Sequence, residues 1–265
     1  MRRRVARVCV LSVVAVTALT GAGCTDSSST ATTTTVPQLT GAMTVSAASS
    51  LTGAFTQLAA SFHRVHPQTT VTFNFGSSGA LATQIVAGAP ADVFASASPT
   101  NMATVQAAHL VAGTPQTFAR NRLAIVVKPG DPLGIHSLAD LDKAAVIALC
   151  VPTAPCGATA DEALAKAGVV PEPSKVSRGA DVQATLTQVT TGDADAAVVY
   201  VTNAATVGSS GVVVPIPPAQ NVTTSYPIGV LTTSADHAFA AAWVAYVLGP
   251  VGRATLVRAG FLPPG

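Results

Sequence analysis

From residue 42 onward, short β-type apolar runs alternate with longer segments of helical period, and this alternation limits the possible folds more than any other feature of the chain. Residues 43–47 read as a strand, and residues 51–65 then set Leu51, Ala54, Phe55, Leu58, Ala59, Phe62 and Val65 at helical spacing. Residues 69–75 are β-branched and aromatic, 81–87 are helical, and 92–95 form a short apolar strand. Ser98 and Pro99 supply an N-cap and a first-turn proline for a helix ending at Ala107. The pattern repeats with strands at 123–127, 146–150 and 195–200 and helices at 137–143, 158–167 and 181–191. After the stretch 225–231, helices at 235–248 and 250–259 close the chain. Strands alternating with helices predict an α/β architecture of mostly parallel sheets flanked by helices. The pattern leaves open whether these residues make one large domain or two lobes.

The first 41 residues have a different character. Arg2, Arg3, Arg4 and Arg7 precede an apolar run at 8–19, which leads into Gly21-Ala22-Gly23-Cys24. This is the layout of a secretory signal, and the run is shorter than the roughly 20 residues a membrane-spanning helix needs. A cysteine after small residues resembles a bacterial lipobox. That implies a signal peptide at 1–23, acylation of Cys24, and an extracytoplasmic protein anchored to the cell membrane. A plain secretory signal followed by an unrelated cysteine is the other reading, since Gly21 stands where leucine is usual. Residues 24–41 then form a Ser/Thr-rich spacer with too little apolar surface to build a core.

Charge and cysteines narrow the function. Without the leader, ten basic and twelve acidic residues remain, so nothing predicts capture of nucleic acid. Cys9 leaves with the signal, and Cys150 and Cys156 remain as an even pair in an oxidising compartment, which predicts a disulfide. No histidine or second cysteine pair stands near them to make a zinc site.

Three turns between a strand and a helix carry hydroxyls or small residues: Ala47-Ala48-Ser49-Ser50-Leu51, Phe75-Gly76-Ser77-Ser78-Gly79 and Ala154-Pro155-Cys156-Gly157-Ala158. A helix start presents unpaired N–H groups and the positive end of the macrodipole, so such turns can cradle an anion without a charged side chain. Ordinary helix capping accounts for any one of them equally well. Tyr200 ends an apolar strand, and Asp181 reads as a cap that leaves the Val182 N–H facing outward. A hydrolase fares worse. Gly76-Ser77-Ser78-Gly79 is not a nucleophile elbow, and His63, His66, His109, His136 and His237 stand in no pattern with a serine.

Six ordered segments resemble the periplasmic molybdate-binding proteins (ModA) of ABC importers. They lie at 45–52, 75–82, 87–96, 154–157, 197–200 and 226–228, within a match running from about 43 to 262. The resemblance implies a two-lobed, type II binding-protein fold with two hinge crossings, near 120–123 and 223–228. Lobe one would comprise 42–121 and 226–265, and lobe two 122–225. Carried over by position, the oxyanion contacts are Ser50 and Ser78 through hydroxyl and N–H, Cys156 and Val182 through N–H, and Tyr200 through its hydroxyl. Many family members have alanine where this chain has Cys156.

The function implied is capture of molybdate, with tungstate, for a permease and its ATPase. The protein would be a monomer with no cofactor, no direct metal ligand and no catalytic role. A sulfate or phosphate receptor built on the same helix ends is the alternative, and a secreted hydrolase a remote one.

Overall fold

A computed structural model of the chain describes residues 38–265. The leader, Cys24 and the spacer up to Pro37 lie outside the described residues. β1 (Gly41–Ala48) passes through a 3-10 turn (Ser49–Leu51) into α1 (Thr52–Val65). β2 (Thr69–Gly76) leads into α2 (Ser78–Val86), and β3 (Val93–Ala95) into α3 (Pro99–Ala107). After the long β4 (Val111–Val127) come a 3-10 segment (Ala139–Lys143), β5 (Ile147–Cys150), α4 (Pro155–Lys166), β6 (Val176–Gly179) and α5 (Val182–Thr190). β7 (Ala196–Tyr200), the single turn α6 (Val201–Ala204), β8 (Val212–Pro215), β9 (Thr223–Leu231), α7 (His237–Leu248) and α8 (Pro250–Arg258) complete the chain.

The strands follow one path, β2-β1-β3-β9-β4-β7-β5-β6, with β8 also paired to β4. Strand–helix alternation makes β2-β1-β3 parallel in one lobe and β6-β5-β7 parallel in the other. The antiparallel pairings all involve β4 or β9: β9 lies beside β3 and β4, β7 beside β4, and β8 beside β4. β4 belongs to both lobes. It pairs with β9 as far as Arg122 opposite Thr223, and with β7 from Leu123 opposite Tyr200. Beside this crossing, the Asn221 side chain accepts from the Leu123 N–H at 3.0 Å and donates to the Leu123 carbonyl at 2.8 Å, so the returning chain is clamped to the outgoing one.

The main core runs continuously through both lobes. In the first, Phe55, Phe62 and Phe73 from α1 and β2 pack around Trp243 of α7, the one tryptophan of the chain, and Phe118 of β4 packs on Phe55. The Phe55 and Phe62 rings meet it edge to face, the arrangement the ring quadrupoles favour. In the second, β4, β5 and β7 are buried on both faces and so read as unbroken aliphatic runs. Ser98 accepts from the Thr100 N–H and Pro99 opens α3, as its sequence predicts.

Several elements differ from the sequence expectation: β4 starts at Val111 rather than at 123, and β6 and β8 are strands the sequence reading did not contain. α2 begins at Ser78 and α4 at Pro155, three residues before each apolar period starts. Residues 137–143 yield only a 3-10 segment, because Asp140 accepts from Ser137 Oγ and the His136 N–H and folds the turn back on itself.

Candidate functional site

Four helix starts converge between the lobes. The 3-10 turn ahead of α1 brings Ser49 and Ser50, α2 brings Ser77 and Ser78, α4 brings Pro155 and Cys156, and α5 brings Asp181 and Val182. These residues, with Ala48, Gly76, Ala97 and Tyr200, line a single narrow cavity with about 10 Å3 of free space. A space this tight has no room for a drug-sized ligand, whose pockets run to roughly 300–1,000 Å3. Ser50, Ser78, Cys156, Val182 and Tyr200, the five positions singled out in the sequence, all stand on its wall. Missing from that set were Ser49, Ser77 and Asp181, which adjoin the chosen residues in the same turns.

The site offers donors. Ser78 Oγ accepts from the Ala97 N–H at 2.9 Å, which leaves the Ser78 proton for another partner. Thr159 gives its hydroxyl proton to the Pro155 carbonyl at 2.6 Å and lies 3.5 Å from Tyr200 Oη, a long contact that a ligand oxygen can replace. Burial pushes the Tyr200 phenol well above its usual pKa, and the neighbouring Tyr226 adds to the effect. Tyr200 therefore stays a neutral donor at physiological pH.

Backbone groups add to these. The first N–H groups of a helix have no partner inside it. In α5 the Asp181 carboxylate takes the N–H groups of Gln183 and Ala184, both at 2.9 Å, which leaves that of Val182 uncommitted within the turn. Asp181 is the one charged side chain on the cavity wall, and it caps α5 through Oδ1 alone. The positive ends of α2, α4 and α5 together with these donors favour an anion.

The α4 turn is held rigidly. Cys150 at the end of β5 and Cys156 are joined in the predicted disulfide, with their Cα atoms 5.8 Å apart. Arg178 of β6 donates to the Cys150 carbonyl at 2.7 Å, and Thr185 of α5, which donates to the Asp181 carbonyl at 2.8 Å, lies with its Oγ1 3.3 Å from Cys150 Sγ. Gly157 is required here because a Cβ would overlap the Val151 carbonyl oxygen.

Behind Ser50 stands a residue set that sequence reasoning missed. Ser50 Oγ lies 2.8 Å from Tyr226 Oη, and buried Asn121 donates to the same phenol oxygen at 3.3 Å. Tyr226 had been noted only as part of a family segment, and nothing in the sequence around Asn121 marks it as buried.

The geometry gives no sign of an activated nucleophile. Ser50 bonds to a tyrosine and Ser78 to a backbone N–H, while Cys156 is held in its disulfide. Among the described residues, no group of three or more His, Cys, Asp or Glu could hold a metal ion.

Known proteins resemble this chain in sequence and in fold. The family model described as bacterial extracellular solute-binding protein matches residues 43–262. A molybdate-binding protein ModA of Mycobacterium tuberculosis is 40% identical over 221 residues, covering 83% of this chain and 84% of that one. The periplasmic molybdate-binding protein of Azotobacter vinelandii superposes with a TM-score of 0.74 at 23% identity, covering 84% of this chain and 100% of that one. The sulfate-binding protein SubI of Mycobacterium tuberculosis shares the fold, with a TM-score of 0.76 at 18% identity over 85% of this chain and 87% of that one. The same scaffold thus serves proteins named for different oxyanions. From the family match and the 40% identity, the chain belongs to the ModA family of bacterial extracellular solute-binding proteins.

Proposed function

We propose that this protein captures molybdate, and tungstate with it, outside the cytoplasm and delivers it to an ABC permease driven by an ATPase. The observation that carries the reading is the convergence of Ser50, Ser78, Cys156, Val182 and Tyr200 on one small cavity. A tetrahedral dianion accepts hydrogen bonds and donates none, so a cavity of neutral donors complements it. Phosphate at neutral pH keeps a proton and needs an acceptor. Asp181, the one carboxylate on the wall, caps α5 through Oδ1, so the phosphate arm of the test below decides whether its second oxygen accepts from a ligand. Sulfate has the charge and shape of molybdate but is smaller, so cavity size is the discriminating variable.

Ligand entry requires the lobes to part, with residues 42–121 and 226–265 moving against 122–225 about the crossings at Arg122–Leu123 and Asn221–Thr223. Acylation of Cys24 keeps the receptor at the membrane beside its permease, and the spacer lets it reach the transporter. Replacing Cys24 with alanine should release the protein into the medium.

The test is a melting-temperature panel with molybdate, tungstate, sulfate and phosphate, followed by calorimetry. A ligand at 100 times its Kd adds about 2.7 kcal/mol to folded-state stability. Molybdate and tungstate should raise the melting temperature at concentrations where sulfate and phosphate do not. An equal response to sulfate, or none to molybdate, refutes the assignment.

A further inference from the structure

We infer that Asn121 is a positioning residue for oxyanion capture: through Tyr226 it fixes the direction of a hydrogen-bond relay so that Ser50 presents its proton to the cavity. The inference rests on the reading of Ser50 as an anion contact.

The direction follows from counting protons. Asn121 lies on β4, fully buried, one residue before the strand begins to leave the first lobe. Its Oδ1 accepts from the Arg122 N–H at 3.0 Å, which fixes the orientation of the amide. Nδ2 therefore faces the other way, where its two hydrogens meet Thr202 Oγ1 at 2.9 Å and Tyr226 Oη at 3.3 Å. An amide N–H can only donate, so the phenol oxygen accepts from Asn121. Ser50 Oγ, 2.8 Å away, is then the one acceptor within reach of the phenol proton among the described residues. If Ser50 donated to Tyr226 instead, the buried phenol proton would have no acceptor, an arrangement proteins avoid. Ser50 Oγ thus accepts from Tyr226, and its own proton is left for the cavity that Ser50 lines.

The environment keeps the relay in this state. Burial pushes the Tyr226 phenol well above its usual pKa, so its proton is present at every physiological pH. Asn121 also reaches both lobes, because Thr202 belongs to α6 and Tyr226 to β9.

Asn121→Asp tests the relay by reversing its polarity at nearly constant shape. The introduced carboxylate only accepts. The phenol proton would turn toward it, the Ser50 proton would turn toward Tyr226, and Ser50 would then face the anion with a lone pair. Molybdate affinity measured by calorimetry should fall about 30-fold or more, as expected for losing a hydrogen bond to a charged ligand.

The new charge repels the anion in its own right, so the substitution is repeated in a Tyr226→Phe background, where the charge remains and the relay is gone. Tyr226→Phe alone leaves Ser50 free to donate and should cost less than about 5-fold. In that background the penalty of Asn121→Asp should shrink at least 5-fold. An equal penalty in both backgrounds overturns the inference and leaves the binding reading intact, whereas a wild-type protein that binds neither molybdate nor tungstate overturns both. Neutron diffraction of deuterium-exchanged wild-type protein needs no variant to fold. Deuterium bonded to Tyr226 Oη and directed at Ser50 supports the relay, and deuterium on Ser50 Oγ directed at Tyr226 refutes it.

Discussion

Gly79 offers a perturbation whose effects on stability and on binding should have opposite signs. It lies in the first turn of α2, in the first lobe, with an ordinary helical backbone. A Cβ built there overlaps the backbone carbonyl oxygen of Thr153, in the second lobe, far inside any real Cβ contact; Asn101 Nδ2 of α3, at 3.5 Å, would be an ordinary neighbour. Backbone cannot swing aside as a side chain can, so in Gly79→Ala the approach of the lobes must stop short or the 151–153 turn must shift. Overpacking of this kind costs about 1–3 kcal/mol. At about 1.4 kcal/mol per decade, molybdate affinity should weaken about 5- to 150-fold.

The same methyl group favours the helix. Alanine exceeds glycine by up to about 1 kcal/mol in a helix interior, somewhat less in a first turn, and that gain is present whether the lobes are open or closed. It therefore cancels from binding and appears only in folding. Calorimetry gives the affinity, and the fluorescence of Trp243, buried in the first-lobe core, follows unfolding of the ligand-free protein. The ligand-free variant should melt at or slightly above the wild-type temperature. Unchanged affinity would refute the claim that Gly79 meets Thr153 in the ligand-bound state. A ligand-free melting temperature lowered by several degrees would mean that the contact belongs to the resting state, and would refute the closure argument as well.

Tyr200→Phe removes one neutral donor from the cavity and should weaken molybdate binding about 10- to 100-fold in calorimetry, the usual cost of a hydrogen bond to a charged partner, while the fold survives. Replacing both Cys150 and Cys156 with alanine removes a short loop constraint worth about 2 kcal/mol. Chemical unfolding should register that loss, and affinity should stay within a few-fold because the proposed Cys156 contact is a backbone N–H. Burial raises the phenol pKa values of Tyr200 and Tyr226, so above pH 10 the folded state holds protons that the unfolded chain has released. Stability should be undiminished by these groups below about pH 10 and fall as pH rises beyond it, which urea midpoints between pH 8 and 11 will test; a flat profile refutes the shift.

The elements legible in the sequence are those whose side chains face a core. The α1 and α3 signals were clear because Phe55, Leu58 and Phe62, or a serine cap followed by proline, state their roles locally. The strand β4 was legible only over its last five residues, 123–127, which are buried on both faces in the second lobe. Its first part contains Gly113, Pro115, Gln116 and Arg120 and carries two irregularities against β9, so its strand character comes from a partner more than a hundred residues away. Asn121 and Asn221 were invisible for the same reason, since each bonds to groups brought near only by the crossing of the two lobes.

The missing first turns of α2 and α4 have a different cause, and it bears directly on function. Hydrophobic period detects helix that is packed against apolar neighbours. Ser78-Gly79-Ala80 and Pro155-Cys156-Gly157 open their helices beside the cavity, where a large apolar side chain would stand between the backbone N–H groups and a ligand. Small residues there are what direct contact with the backbone requires, and they also erase the pattern by which a helix is recognised. Both helices therefore start three residues before their apolar period, and the hidden residues include Ser78 and Cys156. Both turns were legible in the sequence by another signal, because a strand end followed by small residues and a helix can cradle an anion whether or not the period has begun. In α5, whose cap is an aspartate, the helix start was legible and the Val182 N–H with it. Where a helix begins at a binding site, the distance between its first N–H groups and its first apolar contact measures how much backbone has been given over to the ligand.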